Sequence, residues 1–285
     1  MIGLMSLPPI GPTLASRALL RWRDQFFASL SKHPERFRHY LRECAGLVSG
    51  SAILHAVGAV SESGSSAWAK SSTDLFLPVT SFRTFCDYLI SREEGVVVER
   101  VDYTPGPSVY VSQRRIIRTS AAVLCVYCTT DSCPLVAVAA SHLDIQLSFI
   151  SADTLCLAYP WSVARMEASF RTTSPDTIQP IINESTRKYA ARGYRIRTPM
   201  QSSSGPCRPY GTCPKSSRYF GDEHCLTIAF PEAGADGGSG PRSRTGLFQT
   251  ALWTHGGPPC GNPTCLYSVQ PTVESCTISS KCALY

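Results

Sequence analysis

Three kinds of side chain in this sequence stand at spacings that chemistry can use. The first is cysteine, with 13 in 285 residues. Cys207 and Cys213 form one close pair, Cys260 and Cys265 another, and His224-Cys225 lies between them. Two thiolate pairs gathered by a long loop make a tetrahedral zinc site, with Cys225 as a substitute ligand. Such a clamp would help a segment of low apolar content to fold. The gaps are wider than the usual two residues, and free thiols are the competing reading. Cys125-Val126-Tyr127-Cys128 is formally a C-x-x-C. A redox pair of that kind needs its first cysteine at a helix N-terminus, and this one sits in a strand-like apolar run, so it is read as structural.

The second kind is basic. Arg114, Arg115 and Arg118 form one cluster, and Arg187, Lys188, Arg192, Arg195 and Arg197 another. Either could line a groove for a triphosphate or for nucleic acid. A solvated helix face and strand edge explain them as well. Tyr189 and Tyr194, interleaved with the second cluster, could stack on a base or pack the helix against a sheet. The third kind is a glycine-serine turn with separated acids: Val48-Ser49-Gly50-Ser51-Ala52-Ile53-Leu54, then Thr73-Asp74-Leu75-Phe76-Leu77-Pro78, then Asp144 among apolar neighbours. No G-x-S-x-G, Walker or H-E-x-x-H pattern is present.

The strand, Gly-Ser turn, helix start and acid-bearing strand of that third set resemble the opening of the nucleotidyltransferase (polymerase-beta-like) superfamily. The resemblance implies an α/β fold, a mixed sheet flanked by helices. It also implies roles. Gly50 would let backbone approach the phosphates of a nucleoside triphosphate, and Ser51 would donate its hydroxyl to one of them. Asp74 and Asp144 would hold magnesium for nucleotidyl transfer. The family pattern asks for two acids one residue apart on the second strand. Here the partner position is Ser72 or Phe76, so one carboxylate of the pair is absent, with Glu62 in the preceding loop as a remote substitute. A degenerate site follows, binding nucleotide or macromolecule without robust catalysis. An active magnesium-dependent enzyme and a zinc-stabilised interaction module are the alternatives. The bland reading of Gly50-Ser51 is an ordinary strand-to-helix turn.

The similarity runs further. Residues 142–158, Tyr159-Pro160 and the run Lys188-Tyr189-Ala190-Ala191-Arg192-Gly193-Tyr194 resemble a group of fungal proteins with this fold and no defined reaction. It spans roughly residues 40 to 270, with short individual motifs.

These residues need elements to position them. Residues 1–14 are proline-punctuated and expected to be a disordered tail. Residues 15–199 are expected to form the nucleotidyltransferase-like domain. Its helices begin near Ala15, at Pro34 to Cys44, at Ser51 to Val57 and at Ser81 to Ser91. Strands are expected at Val96 to Val101 and Val109 to Ile117. Ala121 to Tyr127 and Leu135 to Ala139 are expected as a hairpin or a family-specific insertion, and His142 to Phe149 as an acid-bearing strand. Helices are expected around Ala152 to Phe170 and Ile178 to Ala191, with Gly193 capping the second, then a short strand at Tyr194 to Arg197. From about residue 200 serine, glycine, proline and cysteine rise, which sets a boundary and a small C-terminal module with a mobile loop near 231–245.

Composition fits this picture. A hydrophobic fraction of 43% with 17% charged residues suits a chain that buries a core, and the net charge of +6 mildly favours a phosphate-bearing partner. No apolar run is long enough to span a membrane. The prolines near the N-terminus argue against a signal peptide, so an intracellular, reducing compartment is expected, cytoplasmic or nuclear. Arg17, Arg21 and Arg23 ahead of the first acid also admit a mitochondrial presequence.

Overall fold

A computed structural model describes residues 12–58, 72–104, 110–170, 184–197, 217–230, 251–254 and 279–280. The chain enters on α1 (Pro12–Ala28), where Phe26 and Phe27, with Leu30 just beyond, turn inward. It continues on α2 (Pro34–Glu43), which starts on a proline already fixed near helical φ and buries Phe37 and Leu41. Strand β1 (Leu47–Ser49) leads through Gly50 into α3 (Ser51–Ala56). Strand β2 (Thr73–Pro78) follows, stopped by its proline, and α4 (Val79–Arg92) returns across it. A meander of β3 (Val96–Asp102), β4 (Val111–Arg118) and β5 (Val123–Thr129) comes next.

The following stretch departs from expectation in three places. Leu135 to Ala139 is not a hairpin strand but a short helix, α5 (Leu135–Ala139). Both edges of β5 are occupied, by β4 antiparallel and β2 parallel, so no place remains for a further partner. The run is wholly buried and apolar, so its periodicity cannot tell helix from strand. Asp144 does not sit on a strand either. Asp144–Gln146 is a single 3-10 turn, and only β6 (Ser148–Ile150) is extended. The Gln146 side chain accepts the Leu143 N–H at 3.2 Å, which tightens that turn. The expected helix over Ala152 to Phe170 is β7 (Thr154–Leu157), α6 (Pro160–Ala164) and β8 (Glu167–Ser169). Ser151 accepts the Asp153 and Thr154 N–H groups at 3.2 and 3.0 Å, closing the turn that folds β7 back onto β6.

Residues 184–191 are helical (α7) and end at Gly193, whose φ is +88°; β9 (Arg195–Arg197) then pairs with β8 in parallel. The expected boundary near residue 200, the loop at 231–245 and the first part of the expected 178–191 helix lie outside the described residues. Beyond that boundary, β11 (Leu226–Ala229) pairs with β7 and completes the main sheet. Beside it, β10 (Ser217–Tyr219), β12 (Ala251–Thr254) and β13 (Ser279–Ser280) form a small three-stranded sheet.

The result is a mixed α/β fold with helices flanking a sheet. The main sheet runs β11-β7-β6-β1-β2-β5-β4-β3, and β2 with β5 is its one parallel pair. Successive strand residues point to opposite faces. Val48, Leu75, Val126, Ile150 and Leu155 therefore join α1 to α4 in one core. Leu47, Phe149 and Cys156 face the other way, into a second cluster with α5, Phe220 and Trp253. Asp74 belongs to that second face.

Candidate functional site

The pairing of β1 with β2 sets Ser49 opposite Asp74, so the turn after β1 lies against the Asp74 carboxylate. Gly50 takes φ +75° there, and a Cβ on it would meet Asp74 Oδ2 at 2.6 Å. Only glycine tolerates both the dihedral and the approach. The Ser49 hydroxyl is tied down, donating to the Ser148 carbonyl at 2.7 Å. The next hydroxyl is not. Ser51 is 1% exposed and its Oγ has no hydrogen-bond partner among the described residues. A buried hydroxyl without a partner costs about 1–3 kcal/mol, so such atoms are rare without a reason.

The parallel pairing of β2 with β5 brings Cys125 opposite Asp74 and Tyr127 opposite Phe76. The Tyr127 ring stacks on Phe76 with centroids 4.9 Å apart, and its hydroxyl donates to the Asp74 carboxylate. Arg114 lies opposite Tyr127 on β4 and is held by Glu99 of β3. From the other side, α7 and the turn after it supply Lys188 and Arg192. Both cationic heads lie 5.6 Å from the ring centre of Tyr189, which receives a hydrogen bond from Gln146 Nε2 at 3.4 Å. Gln146 in turn lies by Ser49, whose hydroxyl is 3.4 Å from the Gln146 carbonyl. This chain of contacts ties the two cations to the Gly50 turn.

Asp74 is half-buried, and burial raises its carboxyl to about 6. The Lys188 charge opposes that rise most, then the Tyr127 hydrogen bond, then Arg192 and Arg114. The Tyr127 phenol is pushed well above its ordinary value, by burial first and by the Asp74 charge second.

Asp144 is placed differently. It is 1% exposed, and both oxygens are engaged within the protein. Oδ1 accepts the Ile145 N–H at 2.7 Å and the Ser169 N–H at 2.9 Å, and Oδ2 accepts the Ser162 hydroxyl at 2.9 Å. These bonds fasten the 3-10 turn to β8 and α6. Of the positions flanking Asp74, Ser72 bonds the Cys125 thiol and Phe76 packs on Tyr127. Glu62 lies outside the described residues. Among those described, no group of three or more His, Cys, Asp or Glu side chains could hold a metal ion. Magnesium asks for several converging oxygens. One carboxylate, itself bonded by a tyrosine and facing two cations, does not fit that requirement.

The basic clusters divide by strand alternation. Arg114 acts on Asp74, whereas Arg115 lies on the opposite face, 5.0 Å from the centre of the Phe82 ring. Arg195 and Arg197 pair with Glu167. Tyr189 and Tyr194 pack edge to face at 5.8 Å and are almost fully buried, so neither ring is presented for stacking on a base. Tyr127 escaped notice in the sequence. Its signal was the strand period, which sets it on the same face as Cys125 beside an acid fifty-odd residues away in sequence.

Cys207, Cys213, Cys260 and Cys265 lie outside the described residues. Cys225 is described: its thiol bonds that of Cys156 and lies 3.7 Å from Arg218 Nη2. Cys125 and Cys128 point to opposite faces of β5, as a structural pair three apart on a strand must. A groove of about 850 Å³ opens on the helix-covered face, lined by Trp22, His55, Thr73 and Arg118 among others. It contains neither Asp74 nor the two cations. Among the described residues no helix is long and apolar enough to cross a membrane. No family model, curated protein or solved structure matches the chain.

Proposed function

We propose that this chain is a degenerate nucleotidyltransferase-like domain whose cleft over Gly50, Ser51 and Asp74 binds a nucleotide or other phosphate-bearing partner without robust catalysis. The observation that carries the reading is the Gly50-Ser51 turn itself. The glycine is pressed against the Asp74 carboxylate, and the neighbouring serine keeps a buried hydroxyl with no partner. A phosphate oxygen would complete that hydroxyl's bonding. Lys188 and Arg192 supply the charge that a phosphate needs. Turnover asks for more. Activating an attacking hydroxyl and stabilising a leaving pyrophosphate takes converging carboxylates and their metals. With Asp144 engaged by three protein donors, the described residues leave one acid for that work.

Titration calorimetry of the four nucleoside triphosphates tests this. We expect a dissociation constant of about 10 μM for at least one, and about tenfold weaker binding, near 1.4 kcal/mol, in Ser51→Ala and in Lys188→Ala. Circular dichroism of both variants should match the parent. Absence of binding to well-folded parent protein would sink the proposal and turn attention to protein partners and the C-terminal cysteines.

A further inference from the structure

A nucleotidyltransferase-like cleft would ordinarily receive its triphosphate as a metal complex. The described residues argue for another arrangement. We infer that the cleft takes the polyphosphate group directly, through Lys188, Arg192 and the Ser51 hydroxyl, with no divalent cation between ligand and protein. This rests on the nucleotide-binding reading above and sharpens it.

Three observations carry it. First, the acid that would complete a metal site is engaged elsewhere: Asp144 accepts from two backbone N–H groups and the Ser162 hydroxyl, each within 3 Å. Freeing it would leave one buried and two half-buried donors without their acceptor. Second, the remaining acid already has its counter-charges. Asp74 accepts the Tyr127 hydroxyl, and the charges of Lys188, Arg192 and Arg114 all act on it. A magnesium ion there would meet one carboxylate, already bonded by a tyrosine and acted on by the Lys188, Arg192 and Arg114 charges. Third, the cations are held in place. Both stand over the Tyr189 ring, and that tyrosine is fully buried and bonded to Gln146. A lysine and an arginine fixed beside a carboxylate do locally what a bound metal would do, which is to balance the carboxylate and present positive charge to a phosphate.

The two arrangements make opposite predictions for Asp74. If a metal bridges, Asp74 is a ligand and its loss abolishes binding. If the cations bind directly, Asp74 is a negative charge beside the phosphate, and removing it leaves binding equal or tighter.

The experiment is calorimetry of full-length protein with adenosine triphosphate and with inorganic tripolyphosphate. Each is run in excess EDTA and in excess magnesium, on the parent and on Asp74→Asn. We expect binding in EDTA at least as tight as in magnesium, retained or strengthened two- to fivefold in Asp74→Asn. Tripolyphosphate binding as tight as the nucleotide would mark the phosphates as the recognised group. Weaker tripolyphosphate binding that is still metal-independent would add a contribution from the nucleoside, and both results support the inference. Binding that appears only with magnesium, or falls tenfold or more in Asp74→Asn, overturns it while leaving the nucleotide reading intact. No binding of either ligand under either condition removes both.

Discussion

Asp74 stands on β2 and Asp144 on the 3-10 turn before β6, and the two acids have opposite surroundings. Asp144 is enclosed, and three donors within 3 Å satisfy both its oxygens. It works as a clip that joins a 3-10 turn to β8 and α6. Asp74 is half-buried beside a glycine that leaves it room. Its neighbours are a tyrosine hydroxyl and three cations, and burial still outweighs them. The contrast separates an acid used for folding from an acid held at a cost for something else. Buried polar groups that are fully bonded stabilise a fold. Those left part-bonded in a cleft are where function concentrates.

The sharpest way to break the comparison is to remove the clip. Asp144→Ala should cost about 3 kcal/mol, because it strands one buried and one half-buried N–H group and a half-buried hydroxyl. Asp144→Asn should cost only about 1 kcal/mol. Its amide oxygen can keep both N–H bonds, and its NH2 can donate to the Ser162 oxygen in place of the bond it loses. Urea unfolding of both variants gives the two numbers. An Asp144→Ala variant as stable as the parent, with nucleotide binding lost, would return Asp144 to the site.

The second prediction concerns pH. The Asp74 carboxyl titrates near 6 when folded, against an ordinary value of 3.8. Between those values the folded protein keeps a proton that the unfolded chain has released. Stability therefore falls as pH rises from about 4 to above 6, by about 1–2 kcal/mol once solvent screening is allowed for. Asp74→Asn should flatten that slope. The variant should match the parent below pH 4 and exceed it at pH 7.5. Unfolding curves across this range decide the matter, and a variant less stable than the parent at pH 7.5 would mean that the cations, not burial, dominate at Asp74.

Much of this contrast could be read in the chain, but unevenly. β1, the Gly50 turn, the start of α3 and β2 are legible because their signals are local: apolar runs, a glycine and a terminating Pro78. The Asp144 turn is not, because its deciding contact is long-range. Leu143, Ile145, Leu147 and Phe149 alternate as a strand should, yet the carboxylate between them bonds the Ser169 N–H, 25 residues on. Tyr127 joins the site only through the parallel register of β2 and β5, which no spacing in the sequence encodes. The change of composition near residue 200 similarly hides that β11 completes the edge of the main sheet. Lys188 and Arg192 were visible as charges. What they face depends on Tyr189 and Gln146, brought together across 43 residues.

Ser51 and Ser162 are two serines beside the two acids. Ser162 donates to Asp144 Oδ2 at 2.9 Å, whereas Ser51 Oγ has no partner among the described residues. Ser162→Ala should therefore cost about 1.5 kcal/mol, the lower end of the net value of a bond to a charged acceptor. Ser51→Ala removes an unmatched buried hydroxyl and breaks no bond, so it should leave stability within about 0.5 kcal/mol of the parent, on the stabilising side. Thermal unfolding without ligand measures the pair under one condition. If Ser51→Ala is the costlier of the two, its hydroxyl already has a partner within the protein, and the Gly50-Ser51 turn is only the entry to a helix. If it is neutral or better in stability but weaker in nucleotide binding, the hydroxyl is kept for a ligand.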